Sequence, residues 1–175
     1  MFVNPTVAIG QLDLMEGMRV ADFGAGLGIY SKAASQRVGT TGKVYAVEVQ
    51  KDLLKRLESE LKEEGIKNID CIWGDIEKVG GTKIAESSMN AVIISNVLFQ
   101  VGDRLGLIDE AKRILKKGGF VLLLDWREPF GGMGPSPHHV VTEQTAKDLF
   151  IKRGFTYVKN ISSSEHQYGI IFKHE

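Results

Sequence analysis

Three short stretches of the chain carry residue types and spacings that could hold a nucleoside. Val20-Ala21-Asp22-Phe23-Gly24-Ala25-Gly26-Leu27-Gly28 ends a short apolar run in a glycine-rich turn. Glycines there let the backbone approach a ligand closely, and a helix starting just after them presents free N–H groups. The same turn would also serve as a plain tight strand–helix connection. A dinucleotide pyrophosphate calls for G-x-G-x-x-G, but Ile29 stands where the third glycine belongs. Glu48 closes the next β-rich run, where a carboxylate can accept from both hydroxyls of a ribose. Asp75, in Trp73-Gly74-Asp75-Ile76, can accept from the exocyclic amine of an adenine, with Ile76 offering the ring an apolar face. Taken singly, Glu48 also reads as a solvated strand-end acid and Asp75 as a turn or N-cap residue. Together the three features fall at the C-terminal ends of three successive strands. That is the edge at which open α/β sheets take their ligands.

The elements that position these residues follow from hydrophobic period and breakers. Met18–Phe23, Lys43–Val49, Ile69–Trp73, Asn90–Ser95 and Phe120–Trp126 are short apolar or β-branched runs and read as strands one to five. Ile29–Val38 reads as a helix closed by Gly39, and Asp52–Glu64 as one that places Leu53, Leu54, Leu57 and Leu61 on a single stripe. Lys78–Ser88 is a polar, glycine-containing connection. Asp103–Lys116 reads as a helix with a basic last turn, stopped by Gly118-Gly119. Arg127–Val141 holds too many glycines and prolines for a helix or central strand and predicts a long loop over the active edge. Thr142 then caps a helix over Glu143–Arg153, and Phe155–Ile161 and Gln167–Phe172 form a hairpin around Ser162-Ser163-Ser164. Alternating strands and helices predict an α/β fold: a Rossmann-like, doubly wound, mostly parallel seven-stranded sheet in a three-layer α/β/α sandwich. The hairpin adds an antiparallel strand at one edge. Residues 1–175 read as a single domain, with 1–17 an N-terminal segment and 127–141 the loop.

Composition narrows the function classes. Apolar residues are 43% and charged residues 25% of the chain, an ordinary globular balance. Phe120–Leu124 is the longest strongly apolar run, far below the roughly 20 residues of a membrane span. Lys plus Arg number 22 and Asp plus Glu number 22, so nothing suggests a nucleic-acid partner. A single cysteine, Cys71, excludes an intrachain disulfide and a cysteine zinc cluster. Met1–Pro5 shows no basic and apolar leader, so the expected compartment is the cytoplasm.

From about Phe2 to Phe172 the chain resembles a class I S-adenosylmethionine-dependent methyltransferase. Ala21–Gly28 resembles the family's first motif, Glu48 stands at its ribose-binding acid, and Gly74-Asp75-Ile76 resembles its adenine-side motif. Leu115-Lys116-Lys117-Gly118-Gly119 resembles the L-K-P-G-G turn before strand five, with Lys117 where proline is usual. The Asn4-Pro5 opening and Pro135-Ser136-Pro137-His138-His139 are similar to the small-molecule branch typified by ubiquinone and menaquinone methyltransferases. The resemblance implies S-adenosyl-L-methionine as cosubstrate and S-adenosyl-L-homocysteine as product. It assigns binding to Asp22, Gly24, Ala25, Gly26, Glu48, Val49, Gly74, Asp75, Ile76, Asn96 and Val97. Asp22 would orient the first loop, and Asn96 would lie beside the methionine portion, with Val97, Leu98 and Phe99 as a methyl-side wall.

Methyl transfer from a sulfonium is an in-line displacement in which the protein supplies alignment and desolvation. A base is required only where the acceptor loses a proton. His138 and His139 are the candidates, and solvent-exposed loop histidines are the alternative reading. Arg127 could bind an acidic acceptor or be a plain surface arginine. Ser95-Asn96-Val97-Leu98 lacks the N/D-P-P-Y/F pattern of amino-group methylases acting on DNA bases or glutamine. Strand four does not end in the aspartate of metal-dependent catechol-type enzymes, and no metal is expected. The predicted reaction is methylation of a small-molecule acceptor, at a site left open or completed by a second copy of the chain in a homodimer. A non-catalytic binding module and a nucleotide-cofactor oxidoreductase are the competing readings.

Overall fold

The computed structural model describes residues 3–130, 132 and 134–175. Met1 and Phe2, where the N-terminal segment begins, and Gly131 and Met133 of the predicted loop lie outside the described residues. The elements run α1 (Pro5–Gly10), β1 (Arg19–Phe23), α2 (Ile29–Val38), β2 (Lys43–Glu48), α3 (Lys51–Glu63), β3 (Ile69–Trp73) and β4 (Met89–Ser95). They continue with α4 (Arg104–Ile114), β5 (Leu115–Trp126), α5 (Glu143–Lys152), β6 (Phe155–Asn160) and β7 (Gln167–His174). A 3₁₀ turn, Pro137–His139, interrupts the long loop.

The seven strands form one sheet in the order β3-β2-β1-β4-β5-β7-β6. The strands from β3 to β5 are parallel, while β7 runs antiparallel to both β5 and β6. The chain steps outward from β1 through β2 to β3, then returns to place β4 on the other side of β1. The gap between β1 and β4 is therefore the switch point, where a crevice opens beyond the strand ends.

Side-chain alternation along the strands supplies two cores. Val20, Ala46, Ile93 and Leu124 pack under α1, α2 and α3 with Ile9, Ala34 and Leu57. Ala21, Val92, Ile94 and Leu123 pack under α4 and α5 with Leu107, Ile108 and Phe150. This is the three-layer sandwich the alternation predicts. Among the described residues no helix is long and apolar enough to cross a membrane.

The structure departs from the sequence reading in three places. The N-terminal segment holds a helix, α1, because Asn4 Oδ1 accepts from the Thr6 and Val7 amides at 2.9 and 3.4 Å and Pro5 sits in the first turn. α4 stops at Ile114, and Leu115 already pairs with Met89; Gly118, at φ 77°, bends the strand rather than ending the helix. Between β3 and β4, by contrast, the connection carries no helix, as its polar, glycine-containing sequence predicts. Fully buried Glu110 instead gathers that connection, accepting from the amides of Gly80 (2.7 Å) and Thr82 (3.2 Å) and pairing with Arg113. Burial opposes the Glu110 charge, but Arg113, Thr82 and Gly80 outweigh it, and the carboxyl sits below its usual range. Finally, β7 lies inside the sheet and β6 at its edge. β7 is buried over its first six residues, whereas β6 is exposed after Phe155 and interrupted by a register shift near Lys159, features that suit an edge.

Candidate active site

At the carboxyl ends of β1, β2, β3 and β4 lies a cavity of about 390 Å³, within the range of small-molecule sites. Gly24, Gly26, Val47, Glu48, Val49, Gln50, Leu53, Gly74, Asp75, Ile76, Glu77, Asn96, Val97, Gln100 and Val101 line it. A hollow of about 640 Å³ near Ser35, Gly39, Lys43 and Asn68 is larger. It lies at the opposite edge, where the strands begin and α/β sheets do not take their ligands.

The glycine turn forms the floor. Gly24 and Ala25 donate their amides to Val47 O at 2.9 and 3.0 Å, holding the turn against β2. Gly24 has φ 69°, and a Cβ there would stand 2.6 Å from Val97 Cγ2. Only glycine allows that conformation and that closeness together. Asp22 lies behind the turn, 2% exposed, with Oδ2 accepting from Ser31 Oγ at 2.6 Å. Burial pushes its carboxyl up to about 6, against the Ser31 hydrogen bonds, with the Glu48 charge adding a smaller upward push.

Glu48 is 5% exposed at the end of β2. Its Oε2 accepts from Gly26 N at 3.0 Å and its Oε1 from Gln50 N at 2.9 Å. Each oxygen keeps lone-pair capacity for a donor in the cavity. Past β3, Asp75 Oδ1 accepts from Glu77 N at 3.0 Å while Oδ2 pairs with Lys78 at 2.9 Å. The Lys78 ammonium and the Glu77 amide hold its carboxyl below the usual range.

At the end of β4 the backbone of Asn96 is left-handed, φ 56°, a conformation asparagine tolerates better than most residues. Its N–H donates to Leu124 O at 2.8 Å, and its carbonyl accepts from Gln100 Nε2 at 2.7 Å. Asn96 Oδ1 accepts from Gln167 Nε2 at 2.6 Å, and Asn96 Nδ2 donates to Ser95 Oγ at 3.2 Å. At the end of β5, Asp125 is fully buried. Its Oδ1 accepts from Trp126 N at 2.8 Å, and among the described residues none meets Oδ2 at full hydrogen-bond geometry, although the Leu98 and Phe99 amides lie near the carboxyl. Burial lifts this carboxyl to about 6 against the amides of Trp126, Phe99 and Leu98.

Nine sequence-predicted residues line the cavity: Gly24, Gly26, Glu48, Val49, Gly74, Asp75, Ile76, Asn96 and Val97. Asp22 and Ala25 support the turn from outside the lining. His138 and His139 sit in the 3₁₀ turn, also outside it, with His139 Nδ1 2.8 Å from Ser136 Oγ. Arg127 turns onto Glu143 at 2.8 Å and onto Gln167 O at 3.2 Å. Sequence reasoning missed Val47, Gln50, Leu53, Glu77, Gln100 and Val101. Gln50 and Glu77 each follow a predicted acid by two positions, and Gln100 lies four past Asn96, so their neighbours carried a local signal. Gln167, which touches Asn96 from β7, carried none.

The sequence matches a family described as a methyltransferase domain over residues 14–172. It is 30% identical over 123 residues to the ubiquinone/menaquinone biosynthesis C-methyltransferase of Coxiella burnetii, covering 70% of this chain and 48% of that protein. It is 26% identical over 119 residues to the demethylmenaquinone methyltransferase of Geobacillus stearothermophilus, covering 68% of this chain and 50% of that protein. The chain thus spans about half the length of the curated relatives it matches. A SAM-dependent methyltransferase from Aquifex aeolicus shares the fold with a TM-score of 0.88 at 23% identity, over 98% of this chain and 89% of that one. With the glycine turn, the two strand-end carboxylates and the seven-stranded sheet in place, the match over residues 14–172 settles the family: this chain belongs to the class I S-adenosylmethionine-dependent methyltransferases.

Proposed function

We propose that this chain is one methyltransferase domain that binds S-adenosyl-L-methionine along the carboxyl edge of β3, β2, β1 and β4 and transfers its methyl group to a small-molecule acceptor. The observation that carries this reading is the order of groups along the cavity. Asp75, Glu48, Gly24 and Asn96 follow one another in strand order, and neighbouring strands are about 4.8 Å apart. An extended adenosyl compound meets there a carboxylate for its amine, a carboxylate for its ribose, a side-chain-free floor and an amide, in that sequence. The residues fit the group: a side chain at Gly24 would intrude on Val97, and both Glu48 oxygens retain acceptor capacity.

S-adenosylmethionine supplies a methyl group already activated on a sulfonium, so the work left to the protein is alignment and exclusion of water. Glu48 holds the ribose hydroxyls, and its bond from Gly26 keeps the turn beneath them. Asp75 exchanges its exposed Lys78 partner, a contact of little net strength, for the adenine amine. Ile76, Leu53 and Val101 give the ring apolar cover. Val97 walls the methyl side. His138 and His139 lie outside the cavity lining, on the loop that follows β5, and are the candidates to take a proton from acceptors that must lose one. The similarity to a ubiquinone/menaquinone biosynthesis C-methyltransferase supports a carbon atom of a small molecule as acceptor.

Thermal melting with S-adenosylmethionine, S-adenosylhomocysteine and NAD tests the reading. A ligand at 100 times its Kd stabilises by about 2.7 kcal/mol. The adenosyl compounds raise the melting temperature and NAD does not; the reverse pattern overturns the proposal. Incubation with acceptor pools then yields S-adenosylhomocysteine. Tight binding without turnover would make the chain a binding module instead.

A further inference from the structure

Asn96 is the one amide side chain in the cavity whose direction is dictated from outside it. The Val3 backbone N–H, which can only donate, gives its hydrogen to Gln167 Oε1 at 3.1 Å. Gln167 must therefore turn its Nε2 the other way, and that nitrogen donates to Asn96 Oδ1 at 2.6 Å. With its oxygen so engaged, Asn96 turns Nδ2 toward Ser95, whose Oγ takes one of the two hydrogens at 3.2 Å. Among the described residues the other N–H of Asn96 has no hydrogen-bond partner, and it lies at the end of the cavity farthest along the sheet from Asp75. Gln167 is 2% exposed and Val3 8%, so water does not compete freely for the relay. Without it the amide of Asn96 has two nearly isosteric orientations that present opposite ends to a ligand.

We propose that Gln167 is a positioning residue that, anchored by the Val3 amide, locks Asn96 with an N–H donor toward the cavity and so selects an adenosyl compound carrying a carboxylate at that end. The inference rests on the adenosyl reading above. In that reading the adenine lies at Asp75 and the ribose at Glu48, so the amino-acid arm runs past Gly24 toward Asn96. A carboxylate oxygen there accepts the free hydrogen, and a flipped Asn96 would meet it with its own carbonyl oxygen. The N-terminal segment thereby becomes part of the cosubstrate site through one backbone hydrogen bond, although Val3 does not line the cavity.

The test titrates the intact chain calorimetrically with S-adenosylhomocysteine, which carries the carboxylate, and with 5′-methylthioadenosine, which lacks the amino-acid arm. Gln167→Met keeps length and neutrality but removes both hydrogen bonds. It weakens S-adenosylhomocysteine about tenfold and leaves 5′-methylthioadenosine within twofold. Val3→Pro removes the anchoring N–H while leaving Gln167 in place, and reproduces the same selective loss, about threefold, if Gln167→Met fails to fold. Equal loss for both ligands, or no loss for either, overturns the inference, because a merely structural role of Gln167 cannot tell the two apart. If the unmodified chain binds neither compound, the adenosyl reading itself falls and takes this inference with it. If it binds both and only the selectivity fails to change, the adenosyl reading stands alone.

Discussion

The backbone N–H of Gly26 donates to Oε2 of Glu48 at 3.0 Å, so the turn after β1 is fastened to the acid that ends β2. The bond makes one carboxylate responsible for both the shape of the floor and the recognition of whatever hydroxyls lie above it. Glu48→Ala is expected to lower S-adenosylhomocysteine affinity on the order of 100-fold, since hydrogen bonds to charged groups contribute about 1.5–3 kcal/mol each. Glu48→Gln keeps the shape and loses less. Calorimetry decides, and an unchanged Kd in Glu48→Ala removes Glu48 from the site.

Asp75 presents only acceptors to the cavity, and a site built around an acceptor rejects a ligand that offers another acceptor in its place. The unmodified chain should prefer S-adenosylhomocysteine over S-inosylhomocysteine by about 100-fold. Asp75→Asn can turn an N–H outward and should narrow the preference to about tenfold or less. Competition binding with the two nucleosides measures it, and an unchanged ratio would place the base elsewhere.

Gly24 joins backbone conformation to packing. Gly24→Ala must hold a side chain at φ 69° with its Cβ 2.6 Å from Val97 Cγ2. The left-handed backbone alone costs about 1–2 kcal/mol. Val97→Ala in the same molecule relieves the contact but not the backbone. A double-mutant cycle by urea unfolding should therefore show the pair less damaging than the sum, by about 1 kcal/mol. Strict additivity would mean the turn moves away from Val97 when Gly24 is replaced.

Asp22 and Asp125 give stability a defined pH dependence. Burial raises both carboxyls from 3.8 to about 6, so between those values the native state holds protons that the unfolded chain has released. Their contribution to stability is therefore complete below about pH 4 and declines as pH rises through about 6. The shift at Asp125 corresponds to at most about 3 kcal/mol. Asp125→Asn should thus gain stability relative to the unmodified chain as pH goes from 4 to 7, whatever the offset at pH 4. Denaturant unfolding across that range checks the sign. Asp75, Glu110 and Glu143 are shifted down and act oppositely, losing their stabilisation as the pH falls below the usual carboxylate range.

Much of the site was legible because its determinants are local. Gly24, Glu48 and Asp75 each terminate a strand whose own residues announce it, and strand ends in an alternating α/β chain share one edge. Breakers were less reliable. Gly118-Gly119 reads as a helix stop, yet the helix had ended at Ile114 and Gly118 bends a strand. A glycine signals a change of direction without saying which element changes. The Lys78–Ser88 connection shows no helical period, and its order comes from Glu110, a residue in a later helix.

The sequence by itself determined the element types, the mostly parallel sheet and the three acidic or glycine-rich strand ends, because period and turn chemistry act over a few residues. Only the tertiary structure decided that β7 enters the sheet between β5 and β6, that Arg127 pairs with Glu143, and that Gln167 meets Asn96. Those contacts join residues far apart in the chain. The strand order brings them together, and burial then selects the one arrangement in which their hydrogen bonds are satisfied.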